Sequence, residues 1–479
     1  MGSLSFFAHA FGQNFSLPLP VGLFVFGGVV AVVLSFVMVS LFAGGTAPSP
    51  TTSTYRYHDA PWLAPLALFA KLASLAVWLL AVAAGLFGSP FAGYNLNVTL
   101  FWVVLFVGFT YLTAIFGDVW KVCNPYAALI AIVGRCTRYR FGGILPYPKR
   151  LGYYPALAGY FVVICLELVF PQVGSLPQSL SGLFILYGFV TVMLCILFGK
   201  RAWFRYMDFF SVYFGLVAHI SPFVYRRWGV AFRKPFVGLL EPRPDGISLV
   251  LFVMFMLVST TFDGLKETRQ WIVSTLSLPG FVPKELYAIA VLAGGLLLLF
   301  GVYVLAMVVS KRLVPTRLSV RQLSLSFGMT LVPIALGYNV AHYLSYLLVN
   351  GQIGIRQISD PFDKGWNILG TAHYTVNPTP LAPHVGWYIQ LLAIVGGHIV
   401  AIYLAHRVAQ GLYQRRRQVI RSQVPLVSVM VLYTFIGLWV VAQPVYVATR
   451  TKRASVRKTH VASVSYDTQR AIGLYKKLH

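Results

Sequence analysis

The chain has 479 residues, of which 58% are hydrophobic and only 10% charged, and it carries a formal net charge of +26. That balance excludes a soluble globular domain and indicates a polytopic membrane protein. The excess of Lys and Arg would suggest nucleic-acid binding in a soluble chain, but here it sits in the loops between apolar stretches, where topology rules account for it, so no nucleic-acid partner is expected.

Apolar stretches fall in order at about 21–43, 62–88, 96–116, 154–171, 180–199, 248–265, 285–310, 325–349, 387–408 and 425–446. Each is long enough, or nearly so, to cross about 30 Å of hydrocarbon as a helix. The expected architecture is an all-α bundle of ten transmembrane helices filling 1–446, followed by a basic C-terminal tail, 447–479. One set of alternate loops holds 24 Lys and Arg and the other set five. By the positive-inside rule the basic loops face the cytoplasm and the N-terminus lies outside. The tail, with eight Lys and Arg, breaks this pattern and reads as an exposed arm for acidic lipid heads or a partner. No basic n-region of a cleavable signal precedes the first span. Cys123, Cys136, Cys165 and Cys195 form no CxxC pair and read as packing residues.

Two stretches on the basic side, 124–135 and 207–223, are too short or too mixed to span. Each opens with a capping residue, Asn124 or Asp208, and each is expected to be an interfacial amphipathic helix. The order membrane helix, short helix, membrane helix occurs at 96–171 and again at 180–265, which suggests a parallel internal repeat. Both units end with an acid, Glu167 in CLELVF and Asp263 in TTFDGL. Asp118, in FGDVWKVCNPY, reads as a loop anchor paired with Lys121 or a nearby arginine.

Ionisable residues inside apolar spans are costly and mark function. His342 lies about 10 Å from the outer end of its expected helix and His398 about 16 Å from the outer end of the next, at 1.5 Å per residue. Packed helices run about 8–10 Å apart, so the two histidines are placed to face one outward-opening cavity. Tyr338, His342 and Tyr346 form one stripe at i+4 spacing. Gly397, Ala401 and Ala405 form a small-residue seam for close helix approach. The loop between the two helices adds Asp360, Asp363, Trp366, His373 and His384, and the N-terminal segment adds His9. His406, beside Arg407, suits a cap at the basic end.

Histidine with carboxylate suits a divalent metal site, a proton relay, or, with two histidines on facing helices, a haem. No GxSxG, P-loop, GxGxxG or HExxH is present, so nucleotide-driven chemistry has no support. Three readings stand open. The first is a hydrolase in which His342, His398 and Asp263 or Asp360 hold a metal that activates water, with Glu167 among the candidate carboxylates. The second is a proton- or ion-coupled transporter, which discontinuous helices near mid-membrane would favour. The third is a haem-carrying or non-catalytic subunit of a membrane complex, with a second subunit or another copy of the chain as partner.

The segments HAFGQNFSLPLPVGLFVFGG, GDVWKVCNPYAAL, FFSVYFGLVAHISPF, TTFDGL, YNVAHYLSYLLVNGQ, SDPFDKGWNILGTA and GGHIVAIYLAHRVA together resemble a family of bacterial and archaeal multi-pass membrane proteins, some labelled fenitrothion hydrolase-like. The resemblance extends to about residue 446. It implies a prokaryotic cell-membrane protein and hydrolysis of organophosphate esters. Asp263, Tyr338, Asn339, His342, Asp360, His398 and His406 match the family motifs. Arg407 stands where the family often has an acid, and the basic tail looks like an addition.

Overall fold

The computed structural model describes residues 21–42, 57–226, 229–241 and 244–443. All ten apolar stretches are helical: α1 (Val21–Phe42), α2 (Leu63–Phe87), α3 (Leu96–Phe116), α5 (Tyr154–Leu168), α6 (Pro177–Phe198), α8 (Ile247–Lys266), α9 (Lys284–Leu313), α10 (Val320–Ser359), α11 (Pro383–Leu412) and α12 (Arg416–Val441). Between them lie the shorter α4 (Pro125–Thr137) and α7 (Phe209–Ala218). Among the described residues eight helices are long and apolar enough to cross a membrane; the apolar run Val25–Leu41 and α5 are shorter. With 15 residues, α5 is only about 22 Å long. A three-stranded antiparallel sheet, β1 (His58–Asp59), β3 (Gly229–Phe232) and β2 (Phe223–Arg226) in that order, is a small addition to the expected all-α fold. Residues 1–20, with His9, and the basic tail lie outside the described residues.

The helices divide by burial. In α8, 83% of the apolar window is inside the protein, whereas in α2 it is 11%. Phe252, Val253, Met254 and Phe255 are four consecutive residues of α8 with no exposure at all. A helix apolar on every side is stable only when surrounded, so α8 forms the centre of the bundle. Leu68, Phe69 and Leu72 of α2 point outward.

α10 and α11 form an antiparallel pair whose backbones nearly touch. A Cβ at Gly397 would come 2.7 Å from the Pro333 carbonyl oxygen, and one at Gly337 would collide with the carbonyl of Ala393. Ala401 and Ala405 continue the contact, fully buried. The small-residue seam thus lies where the sequence places it. α10 differs in length: it runs on to Ser359, ten residues beyond the expected end.

The two short helices differ more. α3 ends at Gly117 (φ 89°) and α6 at Gly199 (φ 85°), a conformation open to glycine. After each glycine the chain turns back into the bundle. One return is Trp120–Cys123, and the other is Lys200–Ala202 continued by Trp203–Met207. Trp120 packs on Phe109 of α3 with ring centroids 5.6 Å apart. The returns end at Asn124 (φ −71°, ψ 110°) and Asp208 (φ −73°, ψ 104°), which precede α4 and α7. Tyr187, halfway along α6, donates a hydrogen bond to Asp208 at 2.6 Å. Both short helices therefore begin near the middle of the bundle and run back toward the basic end, where Ser221 Oγ bonds the Ile115 carbonyl at 2.9 Å. The interfacial reading is corrected for α7. Phe209, Phe210, Val212, Tyr213, Phe214, Leu216, Val217 and Ala218 are all buried, leaving only a narrow half-buried stripe at Ser211 and Gly215 where an interfacial helix would carry a broad polar face. α4 is buried through its first two turns and is exposed at Ala131 and Ile132 and from Arg135 to Thr137.

Candidate functional site

Asp263 lies in the last turn of α8 and is 6% exposed. Two neighbouring residues of α10 reach its Oδ2 atom. His342 Nε2 is 3.0 Å away, and the Tyr343 hydroxyl donates at 2.8 Å. The His342 and Tyr343 rings meet edge to face, 4.7 Å apart. Gly264 keeps its own position clear of the His342 ring and Val440.

Glu167, in the last turn of α5, lies within electrostatic reach of Asp263 and Lys266. The Lys266 ammonium donates to the Leu168 carbonyl, which holds a cation at the C-terminus of α5. The acids that end the two expected repeat units therefore share one neighbourhood. Tyr346 lies within electrostatic reach of both acids. Toward the basic end, Tyr160 and Tyr213 lie within reach of Glu167. Tyr160 shares a hydrogen bond with Ser259 at 3.3 Å, and Thr110 donates to the Tyr213 hydroxyl at 3.4 Å. Hydroxyls thus extend the carboxylates inward between α3, α5, α7 and α8.

The geometry permits one chemistry directly. A carboxylate and an imidazole 3.0 Å apart can hold a proton between them and exchange it.

The other candidates lie elsewhere. His398 is fully buried. Its Nδ1 is 2.9 Å from the Ile394 carbonyl, so Nδ1 carries the hydrogen and Nε2 is an acceptor; Nε2 has no hydrogen-bond partner among the described residues. The Tyr338 ring packs against it at 6.0 Å, and the Tyr338 hydroxyl donates to the Tyr433 carbonyl at 2.8 Å. His398 thus belongs to the packing of α10, α11 and α12, while His342 is committed to Asp263. Asn339 offers its backbone carbonyl to Tyr111 at 3.1 Å. His406 is buried beside Gln423, whose Nε2 is 3.1 Å from its Nδ1. Asp360 accepts the backbone N–H groups of Lys364, Gly365 and Trp366 at 2.9, 2.7 and 3.1 Å, which ties the loop after α10. Asp118 accepts the backbone N–H of Lys121 at 3.2 Å and lies within electrostatic reach of the Lys121 charge. His373 and His384 are exposed.

Among the described residues no three His, Cys, Asp or Glu side chains come together as a metal ion requires. The residues present therefore do not fit a metal held jointly by His342, His398 and Asp263 or Asp360.

Two features carried no sequence signal. Tyr343 sits one residue off the i+4 stripe, yet it is the second donor to Asp263. The second feature is the junction of the two inserted helices. Asp208 is fully buried and accepts from Tyr187 at 2.6 Å, Ser211 at 2.6 Å and Asn124 at 3.1 Å. Asn124 in turn accepts the first N–H groups of α4, from Tyr126 at 2.9 Å and Ala127 at 3.1 Å. The start of α4 is thus capped by Asn124, whereas Asp208 stands at the cap position of α7 with no side-chain cap bond, its carboxylate taken up by the three side-chain donors.

Comparison with known proteins returned no matching family model, no matching curated protein and no matching solved structure.

Proposed function

We propose that the chain is a polytopic membrane transport protein in which the Asp263–His342 pair takes up and releases the proton, or cation, that drives movement of a cargo. The observation that carries this reading is the pair of inserted helices, α4 and α7, that start halfway through the bundle at Asn124 and Asp208. Broken helices at that depth are the usual way a transporter exposes polar backbone ends to a central path, and a spanning bundle that only scaffolds has no need of them.

On this reading the chain contains two parallel repeats, 96–171 and 180–265. Gly117 corresponds to Gly199, Asn124 to Asp208 and Glu167 to Asp263. With the basic loops in the cytoplasm and the N-terminus outside, the acids occupy the outer half of the membrane and the hydroxyls of Tyr160, Tyr213, Thr110 and Ser259 lead inward. Protonation of Asp263 would neutralise the carboxylate that binds His342 and Tyr343, loosening α10 from α8. Loss of that proton would restore the contact. A packed interface with two discrete arrangements is what converts such a change into opening at one side or the other.

The test is proton flux into vesicles loaded with a pH-sensitive dye, with the full chain reconstituted and a potassium diffusion potential imposed. Wild type is expected to take up protons faster than empty vesicles, and Asp263→Asn to fall to the empty-vesicle rate while still purifying as a folded protein. Flux equal to that of empty vesicles in the wild type would overturn the proposal. So would hydrolysis of a lipophilic phosphate triester by the purified protein that is lost in His342→Ala.

A further inference from the structure

We infer that α2, α4 and the end of α6 form a binding site for the head group of an anionic phospholipid, with Lys71, Arg135 and Lys200 holding the phosphate. The three helices touch at one level. Trp78 of α2 donates its indole N–H to the hydroxyl of Tyr126 in α4 at 3.2 Å. A Cβ on Gly188 of α6 would touch the Tyr126 ring at 3.7 Å and Trp78 at 3.9 Å. From this level all three elements lead to the basic end. Lys71 lies about 10 Å away along α2, Arg135 about 13 Å along α4 and Lys200 about 18 Å along α6 and the glycine that ends it, at 1.5 Å per residue. Side chains of this length close the remaining gaps, and the Lys71 charge lies within electrostatic reach of both Arg135 and Lys200.

Three cations gathered in this way repel one another. Among the described residues none of the three forms an ion pair; the ion pairs there are Arg205–Asp245, Arg233–Glu241 and His342–Asp263. Lys71 is also inside an apolar helix, two turns beyond its start, where a charge is costly unless it reaches an anion or the head-group layer. Beside it Leu68, Phe69 and Leu72 are 56%, 69% and 54% exposed. Cations that meet at the end of a lipid-facing apolar strip match an amphiphile with an anionic head and acyl chains. Basic pockets between membrane helices take such head groups. The site is remote from Asp263 and does not depend on the transport reading.

The experiment measures the thermal unfolding midpoint of the detergent-purified full chain. It is run with added phosphatidylglycerol, with phosphatidylcholine, and with inorganic phosphate at the same concentration. Wild type is expected to rise by several degrees with phosphatidylglycerol alone. Lys71→Gln/Arg135→Gln/Lys200→Gln is expected to lose at least half of that rise, whereas Lys311→Gln/Arg312→Gln, at the end of α9, keeps it. The single variant Lys71→Gln is measured beside them and is expected to lose part of the rise, which keeps the test decisive if the triple variant does not fold. Equal rises in all variants, or a rise with phosphatidylcholine or inorganic phosphate matching that with phosphatidylglycerol, would overturn the inference.

Discussion

Replacing Asp208 by alanine tests the junction on which the arrangement of the inserted helices depends. The substitution removes three side-chain hydrogen bonds, from Tyr187, Ser211 and Asn124. In a water-soluble core each donor left unpaired would cost about 1–3 kcal/mol, for a sum of about 3–9 kcal/mol. In a bilayer the unfolded reference state also finds partners, and side-chain hydrogen bonds average about 0.6 kcal/mol with a maximum near 1.7. That limit governs here, so the expected loss is about 2–5 kcal/mol, or about 30-fold to 4,000-fold in the folding equilibrium. Asp208→Asn keeps one carbonyl oxygen for Ser211 and Asn124 and offers Tyr187 a donor in place of an acceptor; its expected cost is about 1 kcal/mol. Reversible unfolding in bicelles, followed by tryptophan fluorescence, measures both. A loss below about 0.5 kcal/mol for Asp208→Ala would refute the reasoning. So would a Tyr187→Phe effect of the same size with and without Asp208, because contacting residues must couple in a double-mutant cycle.

Three further outcomes are expected. Gly337→Ala places a methyl against the rigid backbone of Ala393 and should destabilise by about 1–3 kcal/mol; Gly396→Ala, where no atom lies within 4 Å, should be neutral or slightly stabilising, and equal costs at the two sites would show that the seam is not tightly packed. Tyr343→Phe removes one of the donors to Asp263 and should cost about 1 kcal/mol and change the pH dependence of vesicle proton flux; an unaltered profile would remove Tyr343 from the site. Arg205→Gln breaks an ion pair whose side chains are 62% and 53% exposed, so the same unfolding assay should register at most about 1 kcal/mol, shrinking further in high salt.

The long apolar helices were legible because about twenty apolar residues in a row have few alternatives to a helix that can cross a membrane, and eight of the ten expected spans reach that length among the described residues. The α10–α11 seam was legible because Gly397, Ala401 and Ala405 repeat with the helix and need no knowledge of the rest of the fold. Helix starts were legible too, since Asn124 is followed by N–H groups that its side chain can accept. The destination of those helices was not. A cap followed by an apolar run looks the same whether the helix lies on a membrane surface or enters the bundle, and only the burial of α7 over most of its surface separates the two. The site was legible by residue type and not by pairing. Asp263 and His342 stand out as ionisable groups in apolar surroundings, but their contact depends on how far α10 rises past α8. α10 continues to Ser359, so the depth assigned to His342 from a shorter helix could not match it correctly to the neighbouring helices. His398 was grouped with His342 by depth, whereas its ring turns toward Tyr338 and its own helix carbonyl.

The two proposed repeats differ in chemistry where they meet, and the difference has a physical reason. At the junction of the inserted helices, two aspartates would set one buried carboxylate against another; Asn124 against Asp208 supplies the amide donor that the carboxylate needs. Symmetry is broken there, and the contact is satisfied within the protein. At the other corresponding pair, Glu167 and Asp263, both positions keep an acid. Lys266 lies close and is bound to the Leu168 carbonyl, while His342 and Tyr343 both address Asp263. A contact selected only for stability would have taken the solution used at Asn124. Two acids within electrostatic reach of each other in an apolar bundle instead leave room for a positive charge that comes and goes, as the proposed transport cycle would require.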